Sequence, residues 1–236
     1  MKILKEALDI LFPQCCLICG KMSDVSINKV PVCKKCLADM VLIPKYQRWQ
    51  FCLSEPYKGD RYPGLPLYIC FVYKGKVTDL IHRVKFGQKA ELARMMGYLT
   101  GNSLKADGVF VDAVIPIPLS YGRLMERGFN QAEEMGIEIS RILNVPVLTQ
   151  VISRPKETKR QAELTDDSQR ARNISGAFSF NPNYSVYGMT ILLVDDVATT
   201  GNTLHEASSV LLENGADNVL CCAFAGNRTV KNAETY

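Results

Sequence analysis

The 236-residue sequence lacks any run of about 18 apolar residues, so an ordinary membrane-spanning helix is not expected. It also lacks the features of a secretory signal peptide, because Glu6 and Asp9 interrupt the apolar stretch near the N-terminus and no cleavage site follows. Internal repeats and low-complexity tracts are missing as well. The net charge is only +4, which permits nucleic acid or phosphorylated ligands as partners but does not require them.

An even, regularly spaced set of cysteines, which would indicate a disulfide framework, is also missing. The nine cysteines are odd in number and unevenly placed. This usage favours reduced thiols and a cytoplasmic location. We expect Cys52, Cys70, Cys221 and Cys222 to be buried in the core as small apolar residues.

Four other cysteines form two Cys-x-x-Cys pairs, Cys16 with Cys19 and Cys33 with Cys36. Two such pairs supply the four thiolates of a tetrahedral zinc site. Cys15 is an alternative to Cys16, although its spacing to Cys19 is less usual. Unmetallated core thiols or a redox pair are the other interpretations. We predict a structural zinc ion, because so short a segment has little core of its own.

Three regions are predicted along the chain. A short amphipathic helix at residues 2–12 and the cysteine pairs make a module over 1–43, and the proline- and glycine-rich segment 44–67 is a linker. In the third region, 68–236, apolar runs alternate with helical patterns, which predicts an α/β domain with a parallel sheet flanked by helices. Strands are predicted at 68–73, 112–118, 147–152 and 218–225, besides one within 189–204.

The most informative stretch is residues 189–204. It begins as a continuous apolar run, typical of a strand buried on both faces of a parallel sheet. The run ends in Asp195 and Asp196, and small residues, hydroxyl residues and Gly201 follow. Apolar residues then repeat on one face of a helix. The stretch therefore predicts a strand, a tight loop and a helix.

That loop is suited to a phosphate group. Backbone amides at a helix start, aided by the helix dipole and by threonine hydroxyls, bind anions, and Gly201 lets the backbone approach closely. Because a phosphate repels carboxylates, Asp195 and Asp196 should face ribose hydroxyls or a divalent cation with its waters. Together these features describe a site for a ribose 5-phosphate. The alternative is that the two aspartates merely end the strand and cap the helix.

A second polar cluster lies earlier in the domain. Arg123 and Arg127 are four residues apart and share a face if their segment is helical. Their guanidinium groups, beside Asn130 and Gln131, suit a pyrophosphate or a nucleic-acid backbone. A surface face of salt bridges is the alternative.

Residues 191–204 resemble the phosphoribosyl pyrophosphate (PRPP) motif of type I phosphoribosyltransferases. Further stretches narrow the resemblance to the ComF family, whose members are linked to natural competence and carry a zinc-binding N-terminus. These stretches are the two cysteine pairs, residues 73–76 through 85–87, Arg127–Gln131, and the pattern Arg…Thr…Gln…Leu…Arg…Asn within 154–173. The resemblance implies the type I phosphoribosyltransferase fold.

The resemblance also implies a ligand site. PRPP would contact Asp195, Asp196, Ala198, Thr199, Thr200, Gly201, Asn202 and Thr203, with magnesium accompanying it. Phosphate or pyrophosphate would contact Lys85, Pro118, Leu119, Ser120, Arg123 and Arg127, although a lone Lys85 also suits a solvated helix face. The polar stretch 153–173 would be a mobile loop that closes over the ligand.

Two functions are compatible with these features. The first is a competence factor that binds PRPP or a related ribose phosphate, works with other competence proteins and handles single-stranded DNA, with Trp49 and Phe129 available for stacking. The second is an active phosphoribosyltransferase that uses a nucleobase or an amine. For that reaction Asp195 and Asp196 are the catalytic candidates, and Thr199 stands where purine-salvage relatives have an acid. Fold alone does not decide between the two.

Overall fold

The computed structural model describes residues 14–23, 25–51, 65–155 and 176–226. The predicted helix at 2–12, most of the predicted loop at 153–173 and Cys52 lie outside the described residues. Within the described ranges, no helix combines the length and apolar character needed to cross a membrane.

Strands and helices alternate through most of the chain. In order they are β1 (Ser26–Ile27), β2 (Val30–Pro31), α1 (Lys34–Ala38), a 3-10 turn (Lys45–Gln47), β3 (Trp49–Phe51), β4 (Pro66–Val72), α2 (Lys76–Phe86), α3 (Ala90–Ala106), β5 (Ala113–Pro116), α4 (Tyr121–Arg127), α5 (Gln131–Leu143), β6 (Ile152–Ser153), β7 (Ser179–Phe180), β8 (Thr190–Ala198), α6 (Asn202–Glu213) and β9 (Asn218–Gly226).

The central sheet has the strand order β3-β4-β9-β8-β5. All its neighbouring strands are parallel except β3, which pairs antiparallel with β4 at one edge. The predicted parallel sheet with flanking helices is therefore confirmed. The strand predicted at 147–152 is reduced to a single bridge from Val147 to Val114 and the short strand β6, which pairs with β7.

The sheet separates two hydrophobic layers. Because successive side chains of a strand point to opposite faces, Leu192 and Val194 face one layer, and Ile191 and Leu193 face the other. The first layer contains α2, α3, α5 and apolar residues of the cysteine segment. The second contains α6 and the β6–β7 pair. Cys70, Cys221 and Cys222 are fully buried, as predicted.

The segment after the cysteine pairs is fastened to the sheet by a buried polar network that the sequence did not predict. Nη1 of Arg48 donates to Oδ2 of Asp107 at 3.0 Å, and Nε of Arg48 donates to the carbonyl oxygen of Ile43 at 2.9 Å. The hydroxyl of Tyr68 donates to the same Asp107 oxygen at 2.7 Å. Residues of the predicted linker thus form the edge strand β3. The boundaries of the three regions at residues 43 and 67 stay a prediction.

Helices α3 and α5 approach closely because α3 carries glycine at the contact. A Cβ added to Gly97 would lie 2.5 Å from the carbonyl oxygen of Met135. Gly136 of α5 is different, since a Cβ there would meet its nearest neighbour, Val114, at 3.5 Å. Both glycines are buried inside helices, so they form a matched pair.

We predict that Gly97→Ala lowers the free energy of unfolding by about 1–3 kcal/mol, because the two helices must move apart. Gly136→Ala should be neutral or stabilising, because alanine is the better helix former and fits the space. Denaturant titration followed by circular dichroism measures both. Equal loss of stability in the two variants would contradict the close-approach explanation.

Candidate functional site

The carboxyl end of β8 opens into a loop that leads directly into α6. Residues 191–194 are fully buried, and the strand ends at Ala198. Gly201 has a φ of +80°, a left-handed conformation that favours glycine, and α6 begins at Asn202. A solvent-open pocket lies here, lined by Asp195 and residues 197–204. Its lining of mainly small and polar residues suits one end of a small polar ligand.

A hydroxyl in this loop has unused hydrogen-bonding capacity. Oγ1 of Thr200 is buried, and within the part of the chain that the structure describes it has no hydrogen-bond partner. Buried polar atoms without partners are uncommon and point to a ligand or an ordered water. The first turn of α6 adds backbone N–H groups that have no partner within the helix. The loop therefore combines a hydroxyl with amides directed to an anion.

The two aspartates differ in their surroundings. Asp195 is half-buried and lines the pocket, whereas Asp196 is only 3% exposed and does not line it. Strand geometry explains the difference, because neighbouring residues of β8 point to opposite faces of the sheet. The backbone N–H of Asp196 also donates to Oδ1 of Asp195 at 2.8 Å.

Lys85 of α2 and Gln131 of α5 surround the carboxylate of Asp196. Nζ of Lys85 lies 2.9 Å from Oδ2 of Asp196, and Nε2 of Gln131 lies 3.5 Å from the same oxygen. From sequence, Lys85 was expected either to reach a phosphate or to lie on a solvated face. The structure instead pairs it with Asp196, a contact that sequence reasoning missed because the two residues are far apart in the chain.

The carboxyl group of Asp195 is held in an unusual electrostatic state. Its burial and the negative charge of Asp196 raise its pKa to about 7, and the charge of Lys85 opposes this rise. At neutral pH Asp195 therefore lies close to its titration midpoint. A hydroxyl or cation that requires its ionised form would bind better as the pH increases.

The end of β5 lies beside the end of β8. The backbone N–H of Ile117 donates to the carbonyl oxygen of Val194 at 2.8 Å, which places Pro118–Ser120 next to the aspartates. Nδ2 of Asn130 donates to the carbonyl oxygen of Ile117 at 3.0 Å, and Oδ1 of Asn130 caps α5. Asn130, expected among donors for pyrophosphate, thus holds the β5 loop and the helix start.

The segment carrying Arg123 and Arg127 forms the helix α4, so these two arginines, four residues apart, lie on one helix face. No residue of α4 is buried, and Tyr121 and Met125 are 75% and 67% exposed. Nε of Arg127 is buried and has no hydrogen-bond partner among the described residues. The helix therefore displays apolar side chains at the carboxyl edge of the sheet, and its two arginines are half-buried there.

Neither of the two aromatic residues suggested for base stacking belongs to α4. Trp49 packs edge-to-face on Tyr68 with ring centroids 5.1 Å apart. Phe129 is half-buried against the first hydrophobic layer. Tyr121 is the more exposed aromatic side chain beside the two arginines, and sequence reasoning did not single it out.

The four predicted zinc ligands are brought together. The Sγ atoms of Cys16, Cys19, Cys33 and Cys36 all lie within 4.8 Å of one another, and those of Cys19 and Cys33 are 3.7 Å apart. Four sulfurs at about 2.3 Å from zinc are separated by roughly 3.8 Å, so the cluster fits this metal. Cys15 is exposed and is not part of the cluster. Burial raises the pKa of Cys16, but hydrogen bonds from the backbone N–H groups of Cys33, Cys19 and Ile18 lower it to about 7.

Comparisons with known proteins agree with this architecture. Residues 130–235 match the family model of the phosphoribosyl transferase domain. The chain is 29% identical over 199 residues to Competence protein F of Haemophilus influenzae, covering 82% of this chain and 83% of that protein. It is 32% identical over 173 residues to DNA utilization protein YhgH of Shigella flexneri, covering 71% and 73%. Competence protein ComFC of Bacillus subtilis is 32% identical over 148 residues, covering 61% and 57%.

The chain belongs to the ComF family. It has the type I phosphoribosyltransferase fold expected of that resemblance, with a four-cysteine cluster near the N-terminus. The family model covers α5, β8, α6 and β9, and so includes the strand that carries the two aspartates. In this ComF protein the cysteine cluster and Lys85 lie before the matched region.

We predict that the purified ComF protein contains close to one zinc ion per chain, bound by the four thiolates. Cys16→Ser should lower the zinc content well below one and reduce thermal stability, because metal binding supplies folding free energy. Elemental analysis and thermal denaturation measure these two quantities. Cys15→Ser is the matched control and should keep the metal. Equal zinc loss in both variants would assign a ligand role to Cys15.

Proposed function

We propose that this ComF protein binds PRPP or a related ribose phosphate and acts in the uptake or handling of DNA. The observation that carries the proposal is the pocket at the end of β8, where a carboxylate, a helix start and a buried unpartnered hydroxyl converge. The names of the relatives, Competence protein F and DNA utilization protein, support the biological role. A cytoplasmic location and contacts with other competence proteins are part of the same proposal.

In this proposal the ligand lies across the ends of β8 and β5. The 5-phosphate binds the amides and hydroxyls of residues 198–203, and the sugar hydroxyls face Asp195, with Asp196 behind it. The pyrophosphate lies near Pro118–Ser120 and the arginines of α4. The chain thus contributes positioning and electrostatic stabilisation.

Magnesium accompanies PRPP in this proposal. Magnesium usually retains several waters when it binds substrate phosphates. The oxygens of Asp195 are suited to accept hydrogen bonds from such waters, so the residues at the pocket fit a hydrated ion. The ion's chemical contribution is to neutralise charge on the pyrophosphate.

An active phosphoribosyltransferase is the second candidate, and the open pocket with its raised Asp195 pKa favours it. In that reaction the bond from the anomeric carbon to pyrophosphate breaks, a bond to the nitrogen of a nucleobase or amine forms, and that nitrogen loses a proton. Asp195 and Asp196 are the candidate catalytic residues. Incubation with PRPP, magnesium and a panel of bases, followed by measurement of pyrophosphate release, separates turnover from binding alone.

Asp195→Asn should weaken magnesium–PRPP binding by roughly tenfold or more at pH 8, because the ionised carboxylate accepts hydrogen bonds from the ligand. In the wild type, affinity should increase from about pH 6 to about pH 8, because the pKa of Asp195 is about 7 and its charged form is the binding form. The variant should show a flatter profile. Isothermal titration calorimetry at several pH values measures both effects.

Asp217→Asn is the matched control, since Asp217 is exposed at the opposite, amino end of β9. It should bind as the wild type does. The ionisation of the phosphates themselves contributes to every profile, and Asp195→Asn measures that contribution. Unchanged affinity of Asp195→Asn across the pH range would remove Asp195 from the site.

Single-stranded DNA should bind at low salt, and its affinity should fall as salt increases, because lysine and arginine displace counterions from phosphates. Arg123→Ala and Arg127→Ala should each weaken binding and reduce the salt dependence. Arg141→Ala is the control, since Arg141 lies at the far end of α5 and pairs with Glu138. Fluorescence anisotropy measures these affinities. Absence of binding at low salt would contradict DNA binding.

A further inference from the structure

The cysteine segment lies at the same edge of the sheet as the pocket. Residues 41–43 run beside the end of β4, where the backbone N–H of Val72 donates to the carbonyl oxygen of Val41 at 3.0 Å and Leu42 forms an antiparallel bridge with Phe71. β3 continues this antiparallel pairing toward the start of β4. The chain before residue 41, which carries the cysteine pairs, therefore lies at the carboxyl end of β4.

Helix α2 crosses this carboxyl edge. Its first residue, Lys76, follows the end of β4, whereas Lys85 in its last turn lies 2.9 Å from Asp196, near the end of β8. β9 lies between those two strands. A helix of 11 residues is about 16 Å long, which exceeds the roughly 10 Å that separate β4 from β8. α2 therefore connects the cysteine segment to the strand that carries the pocket.

The outer face of α2 carries a cation and a pair of rings. At about 100° per residue, His82, Arg83 and Phe86 point away from the buried side of the helix, and all three are exposed. The ring centroids of His82 and Phe86 are 4.5 Å apart, and Phe86 is 53% exposed. The acid of this face, Asp79, is paired with Lys76 at 2.7 Å. Arg83 forms no ion pair within the described ranges.

Exposed lysines continue the positive charge onto the cysteine segment. Lys21 follows the first cysteine pair, Lys35 lies inside the second, and Lys74 lies between β4 and α2. The described part of residues 14–47 contains one acidic residue against five lysines, which are Lys21, Lys29, Lys34, Lys35 and Lys45. Thiolates that hold zinc add negative charge, but Cys16 and Cys36 are buried whereas these lysines are exposed.

We propose that the outer face of α2 and the lysines beside it bind single-stranded nucleic acid. The cations bind backbone phosphates, and the exposed ring of Phe86 stacks on an unpaired base. The inference rests on the DNA-handling part of the proposed function and deepens it, because it adds a binding site apart from the arginines of α4. This site, the α2 surface, consists of Lys21, Lys35, Lys74, His82, Arg83 and Phe86.

The chemistry of the α2 surface favours unpaired nucleotides over other anions. Lysine and arginine neutralise backbone phosphates of any sequence. An exposed ring adds stacking on bases whose faces are open, as they are in a single strand. An acidic protein segment would pair with the cations but would leave the rings without a matching group. The combination of cations with an open ring therefore indicates a single strand.

The test measures binding of two labelled probes to the full-length protein by fluorescence anisotropy at several salt concentrations. One probe is an oligothymidylate of about 20 nucleotides, longer than the roughly 4–16 nucleotides of typical single-strand sites. The other is an abasic oligonucleotide of the same length. The variants are Lys35→Gln, Lys74→Gln, Arg83→Gln and Phe86→Ala. The matched controls are Lys105→Gln, in the last turn of α3, and Phe110→Ala, just before β5, since both residues are exposed at the opposite, amino edge of the sheet.

Each of the three cation variants should weaken binding of both probes by about two- to fivefold at low salt. Each should also reduce the slope of the logarithm of affinity against the logarithm of salt concentration by about 0.7, the value for one phosphate contact on a single strand. Phe86→Ala should weaken oligothymidylate binding by roughly fivefold or more and leave both the salt slope and abasic binding near the wild type. The two controls should bind as the wild type does.

Three results would overturn the inference. Unchanged affinity in the cation variants, with weaker binding in Arg123→Ala, would place the strand on α4 alone and leave the proposed function standing. Equal binding of the abasic and thymidylate probes would indicate a general polyanion surface, such as one for an acidic protein segment. A wild type that binds neither probe at low salt would overturn the DNA-handling function as well. Zinc content and circular dichroism check the variants, and if Lys35→Gln loses zinc, Lys74→Gln and Arg83→Gln decide, because they lie outside the cysteine segment.

Discussion

The alternation of side chains along a single strand governs this site. β8 lies inside the parallel sheet and is buried on both faces, so its direction and register are fixed by packing. Its two aspartates follow one another and must therefore point to opposite faces. One reaches the pocket and the other reaches the layer of α2 and α5. The two aspartates thus have different neighbours, although their charges interact.

The hydrophobic layers decide which groups surround each aspartate. One face of α2 is buried against the sheet through Val77, Leu80, Ile81 and Val84. This packing places Lys85 beside Asp196. The close contact of α3 and α5 in the same layer supports the helix that presents Gln131. The electrostatic surroundings of the two aspartates therefore depend on apolar contacts some distance from the pocket.

The N-terminal cysteine cluster and the loop after β8 are determined by residues that are close together in sequence. Both depend on residues close together in sequence: two Cys-x-x-Cys turns, and a strand followed by Gly201 and a helix start. Their arrangement was predictable because short-range spacing fixes the geometry. The sequence also predicted the parallel sheet, from its alternation of apolar runs and helical patterns. The strand predicted at 147–152 is shorter in the structure, because a short apolar run does not reveal its pairing partners.

The sequence by itself determined the fold class, the four-cysteine cluster and the loop after β8, because each is encoded by periodicity or by spacing within a few residues. Only the tertiary structure decided that Lys85 pairs with Asp196, that Asn130 holds the β5 loop and that Arg48 joins Asp107 and Tyr68. These contacts link residues distant in the chain. Their partners are set by how helices pack on the sheet, a property that no local pattern of residues contains.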